Sequence, residues 1–151
     1  MATTRANFMP EASNPLQEKF INYLMKDGKK TTARRIFNDT MKIISKKTNS
    51  DPEKVFKAAI DKIKPQLEVK PKRIGGAVYQ IPLEVKPGRQ LALACRWLLA
   101  AVRGKKGTGM ANRLAHELIE ASNDQGSAIK KKLDTEKMAA ANKAFAHFAK
   151  Y

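Results

Sequence analysis

The stretch Leu67-Glu68-Val69-Lys70-Pro71-Lys72-Arg73-Ile74-Gly75-Gly76-Ala77-Val78-Tyr79-Gln80-Ile81-Pro82-Leu83-Glu84-Val85 decides the fold, because it breaks the period of everything around it. Tyr79, Ile81, Leu83 and Val85 alternate strictly, which is the two-residue repeat of a half-buried strand. Gly75-Gly76 divides the stretch and suits a hairpin turn or a close backbone approach, since glycine enters positive φ without steric cost and carries no side chain. Pro71 and Pro82 have no N–H to give to a ladder and confine both strands to edges. A two-stranded ribbon is marginal by itself in water. It therefore reads as an arm projecting from a body built elsewhere in the chain.

On both sides the apolar residues recur every three to four positions, the period of a helix. Asn14-Pro15 starts the first helix, with Asn14 as N-cap and Gln17 placed for a capping box. Leu16, Phe20, Tyr23 and Leu24 form its stripe, and Asp27-Gly28 stops it. A second helix follows Thr31 or Thr32, and its apolar residues Ala33, Ile36, Phe37, Met41 and Ile44 are spaced three to four apart. Ser50-Asp51-Pro52-Glu53 opens a third, which buries Val55, Phe56, Ala59, Ile60 and Ile63 and ends before Pro65. Beyond the ribbon, Leu91, Ala94, Cys95, Leu98, Leu99 and Val102 mark a fourth helix. Leu114, Ala115, Leu118 and Ile119 mark a fifth, and a sixth begins at Asp134-Thr135 and carries Met138, Ala141, Phe145 and Phe148. The expected fold is mostly α: a six-helix, bundle-like body with one protruding two-stranded hairpin between helices three and four. Residues 1–13 lack periodicity and read as a flexible tail. Residues 14–151 read as a single domain, with the arm at about 67–86. Because the helical stripes alone supply a core, the arm is expected to add little stability.

The charge then narrows the function. The 151 residues hold 30 Lys plus Arg against 14 Asp plus Glu, a net charge of +16. A surplus of that size on a small domain calls for a polyanionic partner. The signs also segregate. Between Glu84 and Glu117 there is no carboxylate, while Lys86, Arg89, Arg96, Arg103, Lys105, Lys106 and Arg113 all fall there. Further clusters are Lys29, Lys30, Arg34 and Arg35, and Lys130, Lys131 and Lys132. The ribbon contributes Lys70, Lys72 and Arg73. Arg89, Arg96 and Arg103 are seven apart and return to nearly one face of helix four, where guanidinium planes suit phosphate forks. Trp97 beside them serves either as a stacking surface for RNA or as core. Distributed phosphate contacts on a rigid body fit the shape of folded RNA, with a free regulatory or architectural nucleic-acid-binding protein as the alternative.

Other chemistries find little support. His116 and Glu117 are adjacent and leave a helix on different sides, and His147 lies in an Ala-rich terminal segment. No cofactor or metal is expected from two histidines and one cysteine. Cys95 falls on an apolar stripe and reads as a small core residue. Gly104-Lys105-Lys106-Gly107-Thr108-Gly109 lacks the residue order of a nucleotide-binding P-loop but suits contact with RNA phosphates. No apolar run approaches the ~18 residues of a membrane span, so no membrane partner is expected. Residues 1–10 contain no secretory signal pattern.

Four long motifs then become specific. Residues 70–85, Lys-Pro-Lys-Arg-Ile-Gly-Gly-Ala-Val-Tyr-Gln-Ile-Pro-Leu-Glu-Val, closely resemble the hairpin signature of the small-subunit ribosomal protein seven family, the bacterial-type protein of the ribosomal head. Phe20 to Lys30 resembles its first helix and basic turn, Leu91 to Leu98 its fourth helix, and Lys130 to Asp134 with Met138 to Phe148 its last helix. The resemblance runs through about residues 15–148. It implies a six-helix body with a hairpin arm, primary binding to the 3′ major domain of small-subunit rRNA, and nucleation of head assembly. It also implies that Arg73, Ile74, Gly75, Gly76, Ala77, Val78 and Tyr79 lie near the exit-site tRNA, close to the mRNA exit path. Small-subunit ribosomal proteins nine and eleven are the implied protein partners. A cytoplasmic bacterial ribosome and an organellar one both remain open. The chain departs from the family in its weakly basic start, its Gly-rich 104–109 loop and its Ala149-Lys150-Tyr151 end.

Overall fold

The computed structural model describes residues 14–150. The expectation of a flexible tail over residues 1–13 lies outside them. The chain runs through α1 (Pro15–Leu24), α2 (Lys30–Thr48) and α3 (Pro52–Ile63), then β1 (Leu67–Ile74) and β2 (Ala77–Glu84). It continues through α4 (Pro87–Gly104), α5 (Met110–Ser122) and α6 (Ser127–Ala141) to a 3₁₀ segment, Lys143–Lys150.

Local chemistry sets most of these boundaries. The Asn14 side chain accepts from the Gln17 N–H at 2.9 Å, and Pro15 occupies the first helical position. Asp51 caps α3 in the same way, accepting from the Glu53 N–H at 3.1 Å. Asn49 adopts the left-handed conformation (φ 50°) and closes α2. Helix α1 ends at Leu24, earlier than Gly28 alone suggested, because Asp27 and Gly28 both take positive φ and form the turn into α2. Helix α2 begins at Lys30, two or three residues ahead of expectation.

The ribbon turns at the paired glycines. Arg73 faces Val78 and Ile74 faces Ala77, so Gly75-Gly76 is the two-residue loop. Both glycines have positive φ (57° and 85°), the signature of the turn whose twist matches antiparallel strands. Among the described residues, Pro71 and Pro82 sit on strands that pair only with each other.

One hydrophobic core unites the helices. Phe20, Phe37 and Phe56 meet at ring-centroid distances of 5.2 to 5.9 Å, near Ile44, Ile60, Leu98, Leu114 and Leu118. Val55, expected in the core, is only half-buried at its margin.

Two expectations need correction. The sixth helix begins at Ser127, not at Asp134-Thr135. Gly126 (φ 96°) breaks the chain direction, and the buried Glu117 carboxylate accepts from the Ala128 N–H at 3.0 Å, capping α6 from another helix. A sequence window centred on α6 contains no such partner. The helix then stops at Ala141, and Phe145 and Phe148 belong to the 3₁₀ segment. That segment packs on β2, where Tyr79 contacts Phe145 and Phe148 at centroid distances of 5.1 and 5.2 Å. The arm is therefore anchored: Ile81 and Val85 are buried, and α6 covers both strands. The expected projection of the arm from the body holds only toward the tip.

Candidate nucleic-acid interface

The structure divides the candidate cations into those that hold the fold and those left to the surface. Arg34 makes a two-pronged contact with Glu18, through Nη1 to Oε1 and through Nη2 to Oε2 at 3.0 Å. This hydrogen-bonded carboxylate raises the Arg34 guanidinium above its ordinary value and ties α2 to α1. Lys30 joins the same carboxylate at 3.5 Å. Arg113 donates through Nη1 to the carbonyls of Val102 and Lys105, fastening the end of α4 to α5. Its Nε is buried without an acceptor among the described residues. Lys132 donates to the Lys62 carbonyl at 2.8 Å, and Lys72 to the Phe148 carbonyl at 3.2 Å.

Glu117 is the residue that sequence reasoning missed. It is fully buried, yet both its oxygens are engaged. Oε2 accepts from Lys105 Nζ at 2.7 Å, while Oε1 caps α6. The hydrogen bond to Glu117 raises the Lys105 amine above its ordinary value. Gly126 makes this geometry possible, because a Cβ there would sit 2.8 Å from Glu117 Oε1. One carboxylate thus fixes both the basic loop and the start of α6. Its only trace in the sequence is an acidic residue among the apolar positions of α5.

The remaining cations are exposed. On α4, Arg96 is exposed with no hydrogen-bond or ion-pair partner among the described residues. Arg89 lies 3.5 Å from Glu68, and Arg103 donates to the Leu24 carbonyl at 3.3 Å. Each engages one donor of five, and both side chains stay exposed. Lys29, Arg35, Arg73, Lys86, Lys106, Lys130 and Lys131 are exposed and lack carboxylate partners among the described residues. Lys70 is exposed, 3.7 Å from Glu68. Trp97 is half-buried against the core, so packing uses most of it. Cys95 is fully buried, and burial pushes its thiol up to about 11.

The fold also assembles what the sequence kept apart. A cavity of about 390 Å³ opens where α1, α2, α4 and α5 meet. Lys26, Lys29, Arg103 and Arg113 rim it, over a floor that includes Leu24, Ile36 and Met110. Lys26 was not among the sequence-derived candidates; it adjoins the Asp27-Gly28 turn beside Lys29-Lys30. Among the described residues no group of His, Cys, Asp and Glu could hold a metal, and no helix is long and apolar enough to cross a membrane.

Comparison with known proteins agrees with this geometry. The family model described as "Ribosomal protein S7p/S5e" matches residues 2–143. A protein of Leptospira biflexa named small ribosomal subunit protein uS7 is 51% identical over 92% of this chain and 88% of its own length. Proteins of the same name from Thermotoga petrophila and Solidesulfovibrio magneticus are 50% and 49% identical over 92% of this chain, covering 90% and 89% of theirs. With about half its residues shared over nearly its whole length, this basic helical chain belongs to the ribosomal protein S7p/S5e family, whose members are structural proteins and not enzymes.

Proposed function

We propose that this chain is a structural constituent of the small ribosomal subunit that binds the 3′ major domain of its rRNA and nucleates assembly of the head. Membership of the family over residues 2–143 carries the reading. The geometry supports it. Arg96 and the exposed lysines are free to neutralise phosphates, and a basic rim over an apolar floor suits an unpaired nucleotide. The matched relatives are bacterial, which supports a cytoplasmic bacterial ribosome as the setting. The ribbon tip, residues 73–78, is the part of the arm free to reach the exit-site tRNA near the mRNA exit path. Proteins nine and eleven of the small subunit are the proposed neighbours.

The test is titration of the intact protein with a 3′ major domain rRNA fragment over a salt series. If about six to ten phosphates are neutralised, affinity falls by several orders of magnitude between low and moderate salt. Arg96→Glu is the cleaner variant, because Arg103 also supports α1. It should keep its helical circular dichroism and lose specific binding. Equal affinity for duplex DNA and rRNA at one ionic strength would favour a free architectural protein instead. Replacing residues 74–77 by a shorter link should leave subunit incorporation intact and change release of deacylated tRNA; normal release would make the tip a passive ribbon.

A further inference from the structure

A second cavity of about 390 Å³ lies between the C-terminal end of α2, the 104–109 loop and α5. Lys47, Lys106 and His116 line it, from three separate parts of the chain. Neither Lys47 nor Lys106 has a carboxylate partner among the described residues. Lys105, on the same wall, is different: Glu117 at 2.7 Å and Glu120 at 3.7 Å neutralise it and hold the loop in place. Glu120 also approaches His116 Nδ1 at 3.6 Å. Thr108 and Asn112 add a hydroxyl and an amide, and no carboxylate lines the cavity.

Lys47 and Lys106 have no anion of their own, and an occupant carrying negative charge removes the cost of placing them on one cavity. The occupant must also offer several acceptor oxygens, because the lining supplies several donors. A carboxylate has two oxygens. A phosphate offers more acceptors and up to two charges, and lysine is a regular phosphate binder. The volume lies toward the small end of ligand pockets, about 300 to 1,000 Å³. It suits one phosphate with its attached sugar, or a short oligophosphate.

We infer that this cavity is a phosphate-binding site, built by Lys47, Lys106 and His116 and held open by the Glu117–Lys105 pair. The phosphate comes either from the RNA backbone, which rests on the reading above, or from a free oligophosphate, which does not.

The test uses the intact protein and the variant Lys47→Gln/Lys106→Gln. Both side chains are exposed, so the variant should fold, as circular dichroism will check. In rRNA titrations over a salt series, the log–log slope should fall by about 1, because the two lysines together neutralise the one backbone phosphate that the cavity holds. A control, Lys54→Gln/Lys57→Gln on α3, removes the same charge outside the cavity and should keep the wild-type slope. The second arm titrates tripolyphosphate into the protein and follows the His116 ring resonances, with loss of any shift in the cavity variant as the criterion. A reduced slope with no tripolyphosphate response assigns the RNA backbone. A saturable response that the variant loses assigns a free oligophosphate, whether or not rRNA binds. An unchanged slope, or one that the control lowers equally, together with no His116 response, overturns the site. If the wild type fails to bind rRNA, the RNA-binding reading falls and the tripolyphosphate arm alone decides the cavity.

Discussion

Two clusters of three aromatic rings hold different parts of this molecule together. Phe20, Phe37 and Phe56 meet edge-on or tilted at 5.2 to 5.9 Å and are all but fully buried. Tyr79, Phe145 and Phe148 meet at 5.1 to 6.3 Å but stay half-exposed. Ring spacing is nearly the same, so what differs is water. The first cluster joins three helices and removes its whole surface from solvent. The second joins a thin ribbon to a short 3₁₀ segment, neither of which is thick enough to cover it. The body ring cluster thus acts by burial, and the arm ring cluster, outside the buried Ile81 and Val85, by contact. An element of the second kind opens locally at lower free energy than the global fold.

The largest expected effect is on the body. Phe56→Ala leaves a cavity between Phe20 and Phe37, and large-to-small core changes of this kind cost about 3–5 kcal/mol. Urea unfolding should show the loss in midpoint with little change in slope. A loss below ~1 kcal/mol would mean that the core collapses around the gap.

Next is the buried carboxylate. Glu117→Gln keeps the shape but loses the charge that Lys105 and the Ala128 N–H of α6 use. Hydrogen bonds to charged groups contribute about 1.5–3 kcal/mol, and the partly exposed lysine argues for the lower half. The pH dependence has a definite sign. The Lys105 value is raised in the folded state, so its contribution is complete below the ordinary lysine value and fades as pH rises through the raised one. The gap between wild type and Glu117→Gln should therefore narrow in strongly alkaline solution. A constant gap would assign the whole effect to the α6 cap.

Phe148→Ala probes the second cluster. An aromatic pair adds about 0.5–1.5 kcal/mol beyond its area, and partial exposure limits the rest. Global stability should fall by about 1 kcal/mol, while amide exchange at Tyr79 and Ile81 quickens and exchange in α3 and α5 does not. Equal acceleration everywhere would erase the distinction between arm and body. The smallest effect belongs to the tip: Val78, 63% exposed, should tolerate Val78→Ser within about 0.5 kcal/mol.

Much of this was legible in the residues. Caps such as Asn14 and Asp51, the Gly75-Gly76 turn, the period-two run from Tyr79 to Val85 and the helical stripes act within a few positions of themselves. Their effects follow from backbone geometry and survive any tertiary context. The +16 charge likewise pointed to a polyanion without any structure. Missed were the interactions whose partners lie far away along the chain. The α6 start depends on a carboxylate in α5, and the arm's anchorage depends on Phe145 and Phe148 meeting Tyr79. The two families of cations, alike in sequence, separate only when Glu18, Glu117 and main-chain carbonyls engage Arg34, Lys105 and Arg113. Composition determined that the surface is cationic, because charge is a sum over residues. Packing alone decided which cations remain free to meet RNA, because a charge is silenced by whatever the fold brings within about 3–4 Å of it.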